Sequence, residues 1–217
     1  ESGKHVFVEK PLCLKEDELI QIREFFESAE KPPLLQVGFN RRFSPFVGKI
    51  KDELSGRPCS LNYRINAGEI PMDHWIQNPE QGGGRIIGEV CHFIDTASFL
   101  AGSHVKSVFA SALESSDKTI PSDDNISIIL NYDNGSMATI TYYAYGNQAL
   151  PKESLEVFAK DFVATLDDFR KLSLYDGQKK NSQKNASQNK GFAEEFKAFS
   201  RAIKSGKPAI SLDSLFN

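Results

Sequence analysis

Seven runs of alternating apolar and polar residues, preceded by a strand, helix, strand opening, set the tightest limit on how this chain folds. In the first run Leu61, Tyr63, Ile65 and Ala67 alternate with Asn62, Arg64 and Asn66, the period of a strand with one buried and one wet face. Similar runs recur at 105–113, 125–131, 137–145, 154–159, 162–166 and 171–175. Asp133-Asn134-Gly135 supplies a tight hairpin turn between two of them. Short connections and alternating faces predict an open antiparallel sheet. A helix over 88–101 interrupts the strands, and a second over 192–204 places Phe192, Phe196, Phe199 and Ile203 on one face. The polar tract 178–190 between the last strand and that helix reads as a mobile loop.

The opening obeys a different rule. Val6, Phe7 and Val8 suit a buried parallel strand, and Leu19, Ile22, Phe25 and Phe26 mark an amphipathic helix over 15–29. Lys31-Pro32-Pro33 stops that helix, and residues 34–39 form a second short strand. This is the tail of a parallel α/β sheet. Two strands and one helix cannot bury themselves, so the sheet is expected to continue in other residues or to be completed by a neighbour. The first residue is not methionine, which reads as a boundary or a trimmed product.

With 217 residues, 40% of them hydrophobic, the chain can bury a sizeable core. A net charge of −3, from 26 basic and 29 acidic residues, gives no electrostatic reason to expect nucleic acid or an anionic membrane, so the expected partner is a small molecule. Cys13, Cys59 and Cys91 are too few and scattered for a disulfide framework or a zinc site, which points to reducing cytoplasm. No apolar run approaches a membrane span, and no signal peptide opens the chain.

Three stretches carry chemistry. Glu9-Lys10-Pro11 stands at the carboxyl end of the first strand, where parallel sheets hold ligands and where burial and neighbours can depress a lysine's proton affinity. Arg41 and Arg42 stand where the second strand hands over to a helix, a place suited to cofactor phosphate or an acidic substrate group, with one of the two expected to be structural. In the segment 81–95, Gly82, Gly83 and Gly84 permit close approach or sharp turning before a helix on which Glu89 and His92, and His92 and Asp95, share a face. A histidine beside a carboxylate and a lysine can move protons near neutral pH. Glu-x-x-His also supplies metal ligands, but one such pair leaves too few, so no metal is expected. A helix histidine satisfied by a backbone group is the structural alternative.

Taken together, Glu9-Lys10-Pro11, the segment 38–43 and the segment 82–95 resemble the Gfo/Idh/MocA family of glucose-fructose oxidoreductase and inositol dehydrogenase-like enzymes. The resemblance implies an α/β (α+β) architecture: residues 1–43 as the end of a Rossmann-type parallel sheet, and residues 44–217 as a mainly antiparallel open-sheet substrate domain with helices on one face. The glycine-rich dinucleotide fingerprint is then expected upstream of Glu1. The resemblance further implies NAD or NADP as cofactor, and hydride exchange with a secondary alcohol of a sugar, cyclitol or sugar derivative. It makes Lys10 the catalytic lysine, with Glu9 and Pro11 on the cofactor side. It makes His92 the group that exchanges a proton with the substrate hydroxyl.

Many members place an aspartate four residues before this histidine. Here that position is Gly88, and Glu89 stands next to it as the candidate replacement, orienting the substrate. Asp73-His74-Trp75 resembles a family segment lining the substrate pocket, where the Trp75 face can stack on a sugar ring. Tyr143 and Tyr145 share a strand face and are assigned to an oligomer interface, and a homo-oligomer through the open sheet is expected. The alternative is a non-catalytic sugar-binding or regulatory relative, with which Gly88 is compatible and the pairing of Lys10 with His92 is not.

Overall fold

The structure is a computed structural model that describes residues 3–71, 73–114 and 124–217. Strands β1 (Val6–Val8) and β2 (Leu35–Val37) pair in parallel around helix α1 (Glu16–Ser28). Glu16, Asp17 and Glu18 crowd the first turn of α1, where the helix dipole favours negative charge, and Glu18 accepts from the Leu14 and Lys15 amides. The expected burial of the first strand is not met. β2 is buried along its length, with Gln36 bonded to the Glu195 carbonyl of the later helix 192–205, but Val6 is exposed and its two neighbours half-buried.

A 3-10 turn (Asn40–Phe43) leads into α2 (Pro45–Leu54), whose first position is a proline, already restrained to a helical φ. Then come β3 (Ser60–Asn66), a π-helical turn (Ile86–Val90) running into α3 (Cys91–Ala101), and β4 (Val105–Ala112). Strands β5 (Asn125–Tyr132), β6 (Met137–Tyr143), β7 (Glu153–Ala159), β8 (Phe162–Asp167), β9 (Lys171–Asp176) and β10 (Lys179–Lys184) complete the sheet. Helices α4 (Phe192–Ser205) and α5 (Leu212–Phe216) close the chain. The sheet order is β10-β9-β8-β7-β3-β6-β5-β4. All seven predicted runs are strands.

Two differences from the sequence reading have physical causes. β3 inserts between β6 and β7 and pairs with β6 in parallel, so the sheet is antiparallel at every joint but one. The tract read as a mobile loop contains β10, a wholly polar and exposed edge strand in full register with β9. Backbone hydrogen bonds hold it, with the Lys180 ammonium over the Tyr175 ring and a Ser173–Ser182 hydroxyl bond, so no apolar period announces it.

The inner face of the sheet carries Leu61, Tyr63, Ile65, Ile128, Leu130, Ile140 and Leu155, all buried. Against them lie Val47, Ile50 and Leu54 of α2 and Phe93, Ala97 and Leu100 of α3. The outer face is open: Phe109 and Ile129 are cross-strand neighbours there, and Phe109 is 62% exposed. On α4 the buried side is Glu195, Ala198 and Ala202, whereas the predicted aromatic face is largely exposed, with Phe196 stacked on Phe7 and Phe199 tilted against it. Among the described residues no helix is long and apolar enough to cross a membrane.

Candidate active site

β1 ends at Val8, and two residues on the Lys10 side chain reaches toward the start of α3. The Lys10 Nζ donates to the Gly88 carbonyl at 2.5 Å, tying positions 78 residues apart. Gly88 lies within the π-helical turn, and such turns concentrate at functional sites. A Cβ on Gly88 would stand 2.8 Å from the Gly82 carbonyl oxygen, and one on Gly82 would stand 2.3 Å from the Ile76 Cα. Both positions therefore need glycine, because the loop carrying Ile76 packs directly on the helix start. Gly83 and Gly84 adopt left-handed φ of 72° and 74°, which turns the chain into that helix.

His92 stands on the first turn of α3, buried, with its ring edge-on to Phe39 and its Nδ1 without a hydrogen-bond partner. Burial, then the Arg41 and Lys10 cations, push its pKa down to about 2; Glu153 opposes this and Lys152 adds to it. The imidazole is thus neutral across the physiological range, with a lone pair free to accept a proton.

The structure does not form the expected Glu89–His92 face. The Glu89 Oε1 accepts from the Lys152 ammonium, and Oε2 accepts from the Tyr142 hydroxyl at 2.5 Å and the Arg85 guanidinium at 3.3 Å. The wider π turn sends the Glu89 side chain toward β6 and the start of β7 rather than down the His92 face. Burial raises the Glu89 pKa, but Lys152, Tyr142 and Arg85 together hold it below the ordinary carboxylate value. Asp95, also expected beside His92, is bonded to Arg42 instead.

Arg41 and Arg42, assigned from the sequence to cofactor or substrate anions, are turned inward. The 3-10 turn folds both guanidinium groups under the sheet. Arg41 donates through Nε and Nη2 to the two carboxylate oxygens of Glu153 at 2.8 and 2.9 Å, and Arg42 grips Asp95 in the same two-pronged way. Glu153 also accepts from the Tyr63 hydroxyl at 2.6 Å and the Lys190 ammonium at 2.8 Å. Both arginines are buried, so their work is to hold α3, β7 and the 3-10 turn together.

Among the remaining predicted residues, Glu9 lies against Gly38, whose Cβ would stand 3.0 Å from Glu9 Oε2, and Pro11 follows Lys10 through a cis peptide bond. Trp75 is 59% exposed, with its ring tilted against His74, whose Nδ1 accepts from the Ile76 amide. Trp75 is therefore not a core residue. Lys152, Tyr142 and Arg85 were missed as site residues, because their convergence on Glu89 is long-range for Lys152 and Tyr142 and no local pattern announces it. Among the described residues no group of three His, Cys, Asp or Glu side chains is placed to hold a metal ion.

The chain is 31% identical over 187 residues to the uncharacterized oxidoreductase YrbE of Bacillus subtilis (strain 168), covering 80% of this chain and 51% of that protein. It is 28% identical over 144 residues to inositol 2-dehydrogenase of Rhizobium meliloti (strain 1021), covering 64% of this chain and 43% of that protein. The chain thus spans about half the length of the curated relatives it matches. Its fold is shared with UDP-N-acetylglucosamine 3-dehydrogenase GnnA from Acidithiobacillus ferrooxidans, at a TM-score of 0.78 and 19% identity over 98% of this chain and 66% of that one. It is shared equally with aldose-aldose oxidoreductase from Caulobacter crescentus, at a TM-score of 0.77 and 20% identity over 99% of this chain and 67% of that one. The profile of the GFO/IDH/MocA C-terminal domain matches residues 49–161, from within α2 through β7, and by that match the chain belongs to the GFO/IDH/MocA family.

Proposed function

We propose that this chain is the substrate-holding part of an NAD(P)-dependent oxidoreductase acting on a secondary alcohol of a sugar, cyclitol or sugar derivative. The observation that carries the reading is the Lys10–Gly88 hydrogen bond, which brings a strand-end lysine to the helix start bearing a neutral, buried His92. Inositol 2-dehydrogenase among the relatives supports the substrate class.

The residues present fit the nicotinamide end of a dinucleotide. Lys10 and Glu9 stand beyond the carboxyl ends of the parallel pair β1 and β2, the side on which such sheets take dinucleotides, and Lys10 keeps donors beyond the one used by Gly88. When bound, that group supplies the hydride acceptor or donor. The protein's part is proton handling and position. His92, held neutral, takes the proton of the substrate hydroxyl. Lys10, fixed by the Gly88 carbonyl, donates to the same oxygen and stabilises the charge that grows on it. Trp75 offers a ring face to the sugar. The open sheet face around Phe109, Ile129 and Tyr143 is proposed to meet a second copy. A strictly monomeric species by light scattering would count against that pairing.

The test uses the whole polypeptide that carries this chain, since its curated relatives are about twice as long. Reduced-nicotinamide absorbance is followed while inositols, aldoses and uronates are added. Turnover that disappears in Lys10→Ala and in His92→Ala supports the assignment. Turnover unchanged in Lys10→Ala overturns it.

A further inference from the structure

The chain as a whole is acidic, at −3, yet the surroundings of His92 are not. Arg85 and Lys152 share the single carboxylate of Glu89, and Arg41 and Lys190 share that of Glu153. Lys10 rests on a neutral carbonyl, and no carboxylate among the described residues stands within ion-pair distance of it. Three positive charges are therefore left without a carboxylate of their own. Arg85 and Arg41 are buried and Lys190, bonded to the buried Glu153, is only 17% exposed, so the cations best placed to meet a ligand are Lys10 and Lys152, whose side chain is 34% exposed.

The positions of these two lysines relate them to one ligand. Lys10 holds the backbone of Gly88, and Lys152 holds the side chain of the next residue, Glu89. Both charges act on His92 with the same sign. Glu89 is only 13% exposed and is braced from behind by Tyr142 and Arg85, so Lys152 is presented on a rigid support instead of sweeping through solvent. A neutral sugar offers hydroxyls that such a cation pair gains little by meeting. A carboxylate or phosphate gains a charge-assisted hydrogen bond in a partly desolvated place.

We propose that Lys152, seated on Glu89, is a specificity-determining residue that reads an anionic substituent of the substrate, a carboxylate or a phosphate, next to the carbon handled by Lys10 and His92. The proposal rests on the reading of those two residues as the reacting groups. It also gives the excess charge a purpose: an anion beside Lys152 offsets part of the positive surplus that Glu89 and Glu153 leave around His92.

The test is binding by calorimetry to the whole polypeptide, with a hexuronate, a hexose 6-phosphate and the parent neutral hexose as probes, in the wild type, Lys152→Gln and Lys152→Arg. At least one anionic probe is expected to bind about tenfold tighter than the neutral hexose. That advantage is expected to shrink with added salt, to vanish in Lys152→Gln and to be retained largely in Lys152→Arg. Whichever anion shows it identifies the group read. Equal affinity for charged and neutral probes, absence of binding by all three, or an anion preference that survives Lys152→Gln overturns the proposal. These outcomes involve no hydride transfer, so failure here is distinct from failure of the oxidoreductase reading.

Discussion

The Lys10 ammonium is bonded to the carbonyl of Gly88 at 2.5 Å, so the end of β1 and the start of α3 are one unit. Gly88 stands four positions before His92, and its backbone oxygen contacts the lysine there. The contact needs the glycine: a methyl group on Gly88 meets the Gly82 carbonyl at 2.8 Å. Gly88→Ala is therefore expected to push the helix start away from Lys10 and lower kcat/KM by about tenfold or more, with stability reduced by about 1–3 kcal/mol. Steady-state kinetics and urea unfolding check both numbers. Full activity in Gly88→Ala would show that the contact has no part in turnover.

Arg41 and Glu153 form a buried two-pronged ion pair that joins the 3-10 turn to β7. Arg41→Met leaves a buried carboxylate with Lys190 and Tyr63 as its remaining partners, and is expected to cost about 3–5 kcal/mol in urea unfolding. Burial raises the Glu153 pKa, but Arg41 and Lys190 outweigh it and hold the group well below the usual carboxylate range. A depressed folded pKa contributes stability above the unfolded value, about 4.3, and loses it as pH falls toward the folded one. Wild-type stability should thus drop on acidification below about pH 4, and Arg41→Met should show a shallower drop. Parallel acid curves would remove Glu153 from the account.

The central strands were legible because they bury one face against the helices, and a buried face writes a period of two into residues such as Leu61, Tyr63 and Ile65. β10 writes nothing of the kind: it is an edge strand with both faces wet, fixed by its backbone bonds to β9. Lys10 and His92 were legible as short motifs, but their meeting was not, since nothing local shows that Lys10 reaches Gly88. Arg41 and Arg42 misled for the same reason. Their partners stand 112 and 53 positions away, and before those partners are known a pair of arginines at a strand end looks like an anion site. The π-helical turn is a tertiary accommodation to the Ile76 loop, and it is what parts Glu89 from His92.

Trp75 separates recognition from folding. At 59% exposure it packs little of its surface, so Trp75→Ala is expected to change unfolding free energy by about 0.5 kcal/mol or less. If its face carries the sugar, the variant should raise KM with kcat nearly unchanged. An unchanged KM would remove Trp75 from the site.

Glu195 is the clearest case of a group whose stability effect runs with the opposite sign. It lies on the buried side of α4 at 2% exposure, with its Oε1 unpartnered and its backbone carbonyl accepting from Gln36. Burial, then the charges of Glu9 and Asp95, push its pKa up to about 7. A folded pKa raised above the unfolded one favours folding fully at pH values below the unfolded pKa and loses that advantage as pH rises through about 7. Glu195→Gln keeps the shape, cannot ionise, and so escapes the loss. It should unfold like wild type near pH 4 and be more stable than wild type at pH 8.5, by about 3–4 kcal/mol. Thermal unfolding across that range decides the matter: a constant offset between the two proteins would mean that Glu195 does not titrate between those limits, and a wild type more stable at high pH would mean that a cation near Glu195 governs it instead.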